Sequence, residues 1–304
     1  MKRRNPFLLD RPARVALSGG RTSGLMAWKI REAFGGTIPD DVYFTFANTG
    51  REVEETLRFV QEMDARWRLR VRWVEYERDK GAPLIKPGTE SHSRPLIGCH
   101  SFRVVDFVAA DRSGVPFEEV TQVKAEYRAH VKDEPPVLPN PTDRWCSGEL
   151  KHRTMHRFMQ SIGVDEYTCA VGLRFDEPKR VRDMLKNTTG SIEYVCPMAD
   201  AGLTEQVVLD FWSNQPFDLE LEHDPELGTF EGNCDLCFLK NRKKMARLLQ
   251  VRPEAFDWWA EMEERTGQTF RRDRPNYRQM ADQRVSLAMC ETPDEDLGVC
   301  LCTD

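Results

Sequence analysis

Short apolar runs of strand length alternate with amphipathic stretches of helix length over the first part of the chain. Arg14 to Leu17 reads as a strand, Ser23 to Ala33 as a helix and Asp41 to Ala47 (DVYFTFA) as a strand. Glu52 to Arg66 then reads as a helix and Arg70 to Tyr76 (RVRWVEY) as a strand. This βαβαβ order predicts an α/β fold with a Rossmann-like parallel sheet flanked by helices, because parallel neighbours need crossover connections. Tyr167 to Leu173 (YTCAVGL) and Ile192 to Cys196 supply later strands. The long polar span from Asp79 to Asn140 contains enough Pro and Gly to predict loops and insertions over the site. Beyond Pro216 the alternation fades and helix-like patterns gather around a cysteine pair. The expected division is an α/β domain over residues 1–216 and a smaller helical, cysteine-rich region over 217–304.

Composition narrows the class. The chain has 304 residues, 40% hydrophobic and 31% charged, which suits a globular protein with a full core. No apolar stretch approaches the roughly 20 residues of a membrane span, and the start, MKRRNPFLLD, lacks the apolar core of a signal peptide. The cytoplasm is therefore the expected compartment, and nine cysteines there point to metal ligation or catalysis rather than disulfides. Net charge is −6, yet Leu239 to Met280 holds eleven Lys/Arg against six Asp/Glu, followed by an acidic tail with one Arg against six acids. Such a segment is either an anion-binding surface, which would grip the phosphates of a nucleic acid, or a solvated helix face.

In open parallel sheets, ligands sit at the carboxyl ends of strands, near the point where strand order reverses. The first strand runs there into RVALSGGRTSGLMAWKI. Gly19 and Gly20 let the backbone turn with no Cβ in the way, and Ser18, Thr22 and Ser23 add hydroxyls to the N–H groups of a helix start, which together make an anion cradle. The segment lacks the Lys and spacing of G-x-x-x-x-G-K-[ST], which argues against an ordinary P-loop ATPase.

SGGRTS resembles the pyrophosphate loop of the adenine nucleotide alpha-hydrolase (PP-loop) superfamily. FANTGREVEET resembles the matching segment of the phosphoadenosine phosphosulfate (PAPS) reductase family within it. RWCSGELK, VGLRFDEPKRV and GNCDLCFLK are similar, in the same order, to motifs of phage and bacterial PAPS reductase-like proteins, so the resemblance runs from about Val15 to the C-terminus. It implies an adenine nucleotide as ligand, ATP or a sulfonucleotide such as PAPS, with Mg as an accessory ion. The loop Ser18, Gly19, Gly20, Arg21, Thr22 and Ser23 would hold phosphates or sulfate, and Asn48, Thr49 and Gly50 would border the nucleotide. Glu52 is either a polar site residue or an acid favoured by the dipole of a helix start. In the late G-x-R-x-D-E-x-x-R segment (Gly172, Arg174, Asp176, Glu177, Arg180), Arg174 would neutralise the reacting anion, whereas Asp176 and Arg180 also suit structural ion pairing. Lys151 and Cys146 complete the catalytic candidates.

Two mechanisms follow from the resemblance. A bound sulfonucleotide yields its sulfur to a thiolate or is reduced to sulfite; alternatively ATP adenylates an acceptor oxygen, and a cysteine-borne sulfur then displaces AMP. The acceptor would be a small molecule or a nucleic acid, and a sulfur-donor protein or a second copy of the chain are the expected protein partners. Two departures stand out: Thr22 occupies a position where many ATP-using members carry Asp, and the chain ends in DLGVCLCTD rather than the Glu-Cys-Gly tail of PAPS reductases.

The cysteines fall into two groups. Cys99, Cys169, Cys196 and Cys290 stand alone, with Cys169 and Cys196 on apolar strand-like runs that place them in the core. Cys234-Asp-Leu-Cys237 follows Gly232 as a metal knuckle would, the tail adds Cys300 and Cys302, and Cys146 lies in RWCSGELK. Cys234, Cys237, Cys300 and Cys302 would close a structural zinc site. Cys146 with the knuckle pair and a tail cysteine would instead hold a [4Fe–4S] cluster, which the family resemblance favours. A metal-free redox C-x-x-C lacks thioredoxin-like surroundings.

Overall fold

A computed structural model describes residues 5–282. Six strands form one sheet in the order β4-β3-β2-β1-β5-β6: β1 (Ala13–Leu17), β2 (Val42–Asn48), β3 (Arg72–Arg78), β4 (His100–Val105), β5 (Tyr167–Val171) and β6 (Ile192–Val195). β1 lies in parallel register with β2 from Ala13↔Val42 to Leu17↔Phe46, and with β5 from Ala13↔Thr168 to Ala16↔Val171. The chain moves outward from β1 in one direction through β2 and β3, then returns to start β5 on the other side. Strand order therefore reverses at β1 and β5, whose carboxyl ends open the crevice in which this architecture seats ligands.

The helices are α1 (Arg21–Ala33), α2 (Glu54–Trp67), α3 (Val115–Lys132), α4 (Trp145–Ser147), α5 (Thr154–Ser161) and α6 (Pro178–Leu185), followed by α7 (Pro197–Asp200), α8 (Glu205–Ser213), α9 (Arg242–Val251), α10 (Ala255–Thr266) and α11 (Tyr277–Asp282). A π-helical turn, Gly148–Arg153, joins α4 to α5. One face of the sheet packs Val15, Phe44 and Phe46 against Leu25 and Ile30 of α1, Leu57, Val60 and Met63 of α2, and Trp212 of α8. The other packs Ala47, Val74, Cys169 and Val171 against Met155, Phe158 and Met159 of α5 and Met184 of α6. Cys169 and Cys196 are core residues, as expected, and burial pushes the Cys196 thiol up to about 12.

Two expectations require correction. The sheet is not wholly parallel, because β4 closes one edge antiparallel to β3, from Trp73↔Val105 to Arg78↔His100. The span from Asp79 to Asn140 supplies that strand and the 18-residue α3 as well as loops. β4 (HSFRVV) is only half-buried and short, so its alternation is weak. α3 buries Phe117, Val120 and Val123 along one stripe, but its many charged residues dilute that stripe in sequence.

A third apolar cluster belongs to both parts of the chain. Tyr76, Phe117, Val120, Leu138 and Trp145 pack with Phe230, Leu236, Phe238, Phe256, Trp259, Phe270 and Tyr277. The cysteine-rich region thus shares its core with the edge of the sheet and α3.

Candidate functional site: an anion cradle at the strand reversal

The loop after β1 folds as its glycines predict. Gly19 has φ +83°, and a Cβ there would lie 2.3 Å from Thr56 Cγ2, so neither the conformation nor the packing against α2 admits a side chain. Ser23 Oγ accepts from the Ser18 N–H (3.2 Å) and donates to the Gly20 carbonyl (2.9 Å), while its oxygen lies 3.0 Å from Ser18 Oγ. These bonds fix the loop through the Ser18 and Ser23 side chains and leave the first-turn N–H groups of α1 at the helix start, where such groups can receive an anion.

Gly172, after β5, lets the second loop approach: a Cβ there would lie 3.0 Å from Ser23 Cα. Arg174 consequently reaches the cradle, its Nη1 3.5 Å from Thr22 Oγ1 and its Nε 3.0 Å from Asp176 Oδ1. Glu177 accepts the Arg174 backbone N–H (2.9 Å) and pairs with the buried Arg180. Burial would lower the Arg174 pKa, but Glu177 and Asp176 outweigh it and raise it. Ser18, Gly19, Gly20, Arg21, Thr22 and Arg174 all line one cleft.

Arg21 is occupied differently from what its place in the loop implies. Its Nε and Nη2 donate to Asp218 (2.8 and 2.9 Å), and Nη2 also donates to the Leu219 carbonyl (2.6 Å). The side chain therefore ties α1 to the segment after α8. That segment contributes Leu219, His223, Thr229, Gly232 and Asn233 to the cleft wall. Sequence reasoning missed these residues, because nothing local in them signals a site; the left-handed backbone at Asn233 (φ +65°) is visible only in the structure.

Ser18 also borders a second cavity on the opposite side of the loop. It is lined by Arg14 and Ala16 of β1, Thr45 and Ala47 of β2, Val171, Met184, and by Ser147, Lys151, His152 and Met155. Alanines at Ala16 and Ala47, where a covered sheet face usually carries larger side chains, leave this slot between the sheet and the π-helical turn. Lys151 thus joins Ser18 here, with its Nζ 3.6 Å from Glu52 Oε1.

Asn48, Thr49, Gly50 and Glu52 build a wall. The Asn48 amide donates to Glu75 Oε1 (2.6 Å) and the Asp111 carbonyl (2.8 Å), and its oxygen accepts from the Gly50 N–H (3.2 Å). Glu52 lies before α2 rather than in its first turn, and its Oε2 accepts from both the N–H and the hydroxyl of Thr49, each at 2.8 Å. Its backbone bridges to Cys234, whose Sγ lies 3.4 Å from Thr49 Oγ1. Burial pushes the Cys234 thiol well up, and the Glu52 charge adds to this.

Cys146, Cys234 and Cys237 all lie in the described structure, whereas Cys290, Cys300 and Cys302 fall outside it. Among the described residues no three His, Cys, Asp or Glu side chains are grouped to hold a metal ion. The three described cysteines therefore do not by themselves fit a cluster or a zinc site. No helix among the described residues is long and apolar enough to cross a membrane.

The basic stretch beyond Leu239 is largely spent within the chain. Lys243 pairs with Glu226, Arg247 with Glu222, Arg252 with Glu55 and Glu231, Arg265 with Glu118, Arg271 with Asp273, and Arg278 with Asp257 and Glu264. Lys240, Arg242 and Arg274 donate to backbone carbonyls.

Fold and site together define an open α/β protein with a glycine-turned loop and a cleft at its strand reversal. No protein-family profile matches the chain. An uncharacterized nin region protein, ORF290, of Escherichia phage lambda is 27% identical over 239 residues, spanning 76% of this chain and 67% of its own length. Among solved structures, a PAPS reductase from Candida auris in a phosphate complex shares 13% identity with a TM-score of 0.38, over 69% of this chain and 79% of its own.

Proposed function

We propose that the chain is a PAPS reductase-like enzyme of the PP-loop type that binds an adenine nucleotide, ATP or a sulfonucleotide, and carries out sulfur transfer or sulfonucleotide reduction. The observation that carries this reading is the convergence of a side-chain-free turn at Gly19, the helix start at Arg21 to Ser23 and the Arg174 guanidinium on one cleft. Backbone N–H groups hold phosphate or sulfate oxygens, and Arg174 offsets the charge that develops as the α-phosphorus is attacked or the sulfo group leaves. The slot on the other side of Ser18, with Ala16, Ala47, Met155 and Val171 as apolar walls and Thr45, Ser147 and His152 as polar ones, suits a nucleoside. Cys234 places a thiol 3.4 Å from the Thr49 hydroxyl, in the loop that walls the site. Because the described cysteines make no metal site by themselves, the proposed chemistry contains no step through a cluster or zinc.

Adenylation of an acceptor followed by thiolation uses the same cradle and belongs to the same reading. A nucleic-acid-binding role through the basic stretch beyond Leu239 is not favoured, since that stretch is largely paired internally. Calorimetry with ATP and PAPS tests the proposal. Wild-type protein is expected to bind one of them, and Gly19→Val to abolish that binding, because a branched side chain would collide with Thr56 and Phe46, strain a left-handed turn and so push the loop out of place. A correctly folded Gly19→Val variant with unchanged affinity would remove the loop from the site.

A further inference from the structure

We propose that His223 completes the cradle by donating its Nε2–H to the phosphate or sulfate held by the Ser18–Ser23 loop, an assignment that rests on the nucleotide reading above. Arg21 Nη1 donates to Thr229 Oγ1 at 3.3 Å, and Thr229 Oγ1 lies 3.4 Å from His223 Nδ1. A hydroxyl that accepts from a guanidinium keeps its own hydrogen, and in the proposed arrangement it donates that hydrogen to the imidazole Nδ1 in reach. Nδ1 is then the unprotonated nitrogen, and the ring carries its proton on Nε2. His223 and Thr229 line the same cleft as Ser18, Gly19, Gly20 and Thr22, so this donor belongs to the wall that faces the loop.

The electrostatics give the imidazole a task. Arg21 is already matched by Asp218, and Arg174 by Asp176 and Glu177, while Glu205 adds a negative charge to the cleft. An anion entering the cradle thus meets two arginines whose charge is largely offset, and a donor from the opposite wall supplies what they do not. The same Arg21 that clamps Asp218 and the Leu219 carbonyl sets the tautomer through Thr229, so the clamp and the donor form one unit. Specificity for an anionic group, rather than for the nucleoside, is the expected contribution.

The test uses inorganic pyrophosphate and a β,γ-imido analogue of ATP as calorimetric probes on the full chain. His223→Leu should bind both about tenfold more weakly, the scale of one charge-assisted hydrogen bond. His223→Gln, whose amide places a donor near the Nε2 position, should recover most of that loss, and Thr229→Val should fall between. Ring-nitrogen NMR spectra of the wild-type protein supply a second reading that needs no variant: Nδ1 unprotonated, with the Nε2–H signal moving on addition of pyrophosphate. A protonated Nδ1, or a folded His223→Leu variant that binds pyrophosphate like wild type, overturns the assignment of His223 alone. Wild-type protein that binds neither probe overturns the assignment of His223, and failure to bind PAPS as well overturns the nucleotide reading with it.

Discussion

Gly19 and Arg174 serve the cradle in opposite ways, one by the side chain it lacks and one by the geometry of the side chain it has. Arg174 lies between Thr22 and Asp176 with 15% of its side chain exposed, so its planar fork is already oriented before a ligand arrives. Arg174→Lys keeps the charge but replaces that fork with a point ammonium. Nucleotide affinity or turnover should fall by about tenfold or more, while the melting transition moves little, because the residue lies at the rim of the core. A folded Lys variant of full affinity and activity would reduce Arg174 to a partner of Asp176. Gly19 was legible because a glycine pair at a strand-to-helix junction has few purposes. His223 was not: a single histidine about 200 residues from the loop carries no local pattern, and only folding brings it to Thr229 and Arg21.

At the scale of elements, the π-helical turn Gly148–Arg153 has the most distinctive chemistry. It places Lys151 toward Ser18 on one side and Glu149 against β4 on the other, where His100 Nε2 lies 3.8 Å from Glu149 Oε2 and Nδ1 lies 2.8 Å from the Tyr76 hydroxyl. Burial pushes His100 down to about 4, with Arg157, Arg153 and Lys124 adding to the effect and Glu149 opposing it. Glu149 is itself lowered, since His100, Arg153 and Arg157 outweigh its burial. The sign follows directly: a histidine whose folded-state pKa lies below its ordinary 6.5 protonates more readily when unfolded. Its contribution is full above about 6.5 and is lost as pH falls toward about 4, reaching about 2 kcal/mol between pH 7 and pH 5. Urea denaturation should show that loss in the wild type and a flatter dependence in His100→Gln; equal slopes would mean that folding does not lower the His100 pKa. Neither β4 nor this turn was legible in sequence. An edge strand half open to solvent alternates weakly, and a π turn depends on how Trp145 and Leu150 seat in the core shared with Tyr76 and Phe117.

At the scale of the molecule, the composition change beyond Pro216 marks where strand periodicity ends without marking where one core ends. Phe217, Leu219 and Leu221 belong to the cluster under α1 and α2, and the aromatic group from Phe230 to Tyr277 covers Tyr76, Phe117, Val120 and Trp145. Polar contacts cross at the same place: Arg51 pairs with Asp235 and lies 4.6 Å from the Trp258 ring centre, and Trp259 Nε1 donates to Asp235 at 2.8 Å. Alternation reports the period of an element and not its tertiary neighbours, which is why the strands around β1 could be read and this shared core could not. Each large apolar side chain re-exposed by cutting there costs about 1.5–3 kcal/mol, and a domain has only about 5–15 kcal/mol of net stability. A chain ending at Pro216 should therefore unfold without a cooperative urea transition and bind a hydrophobic dye, whereas the full chain should unfold in one step by circular dichroism and tryptophan fluorescence alike. A sharp transition in the shortened chain, with its helix content retained, would show instead that the sheet and its helices fold without the cysteine-rich region, and that the Arg21–Asp218 clamp is added to a cradle already formed.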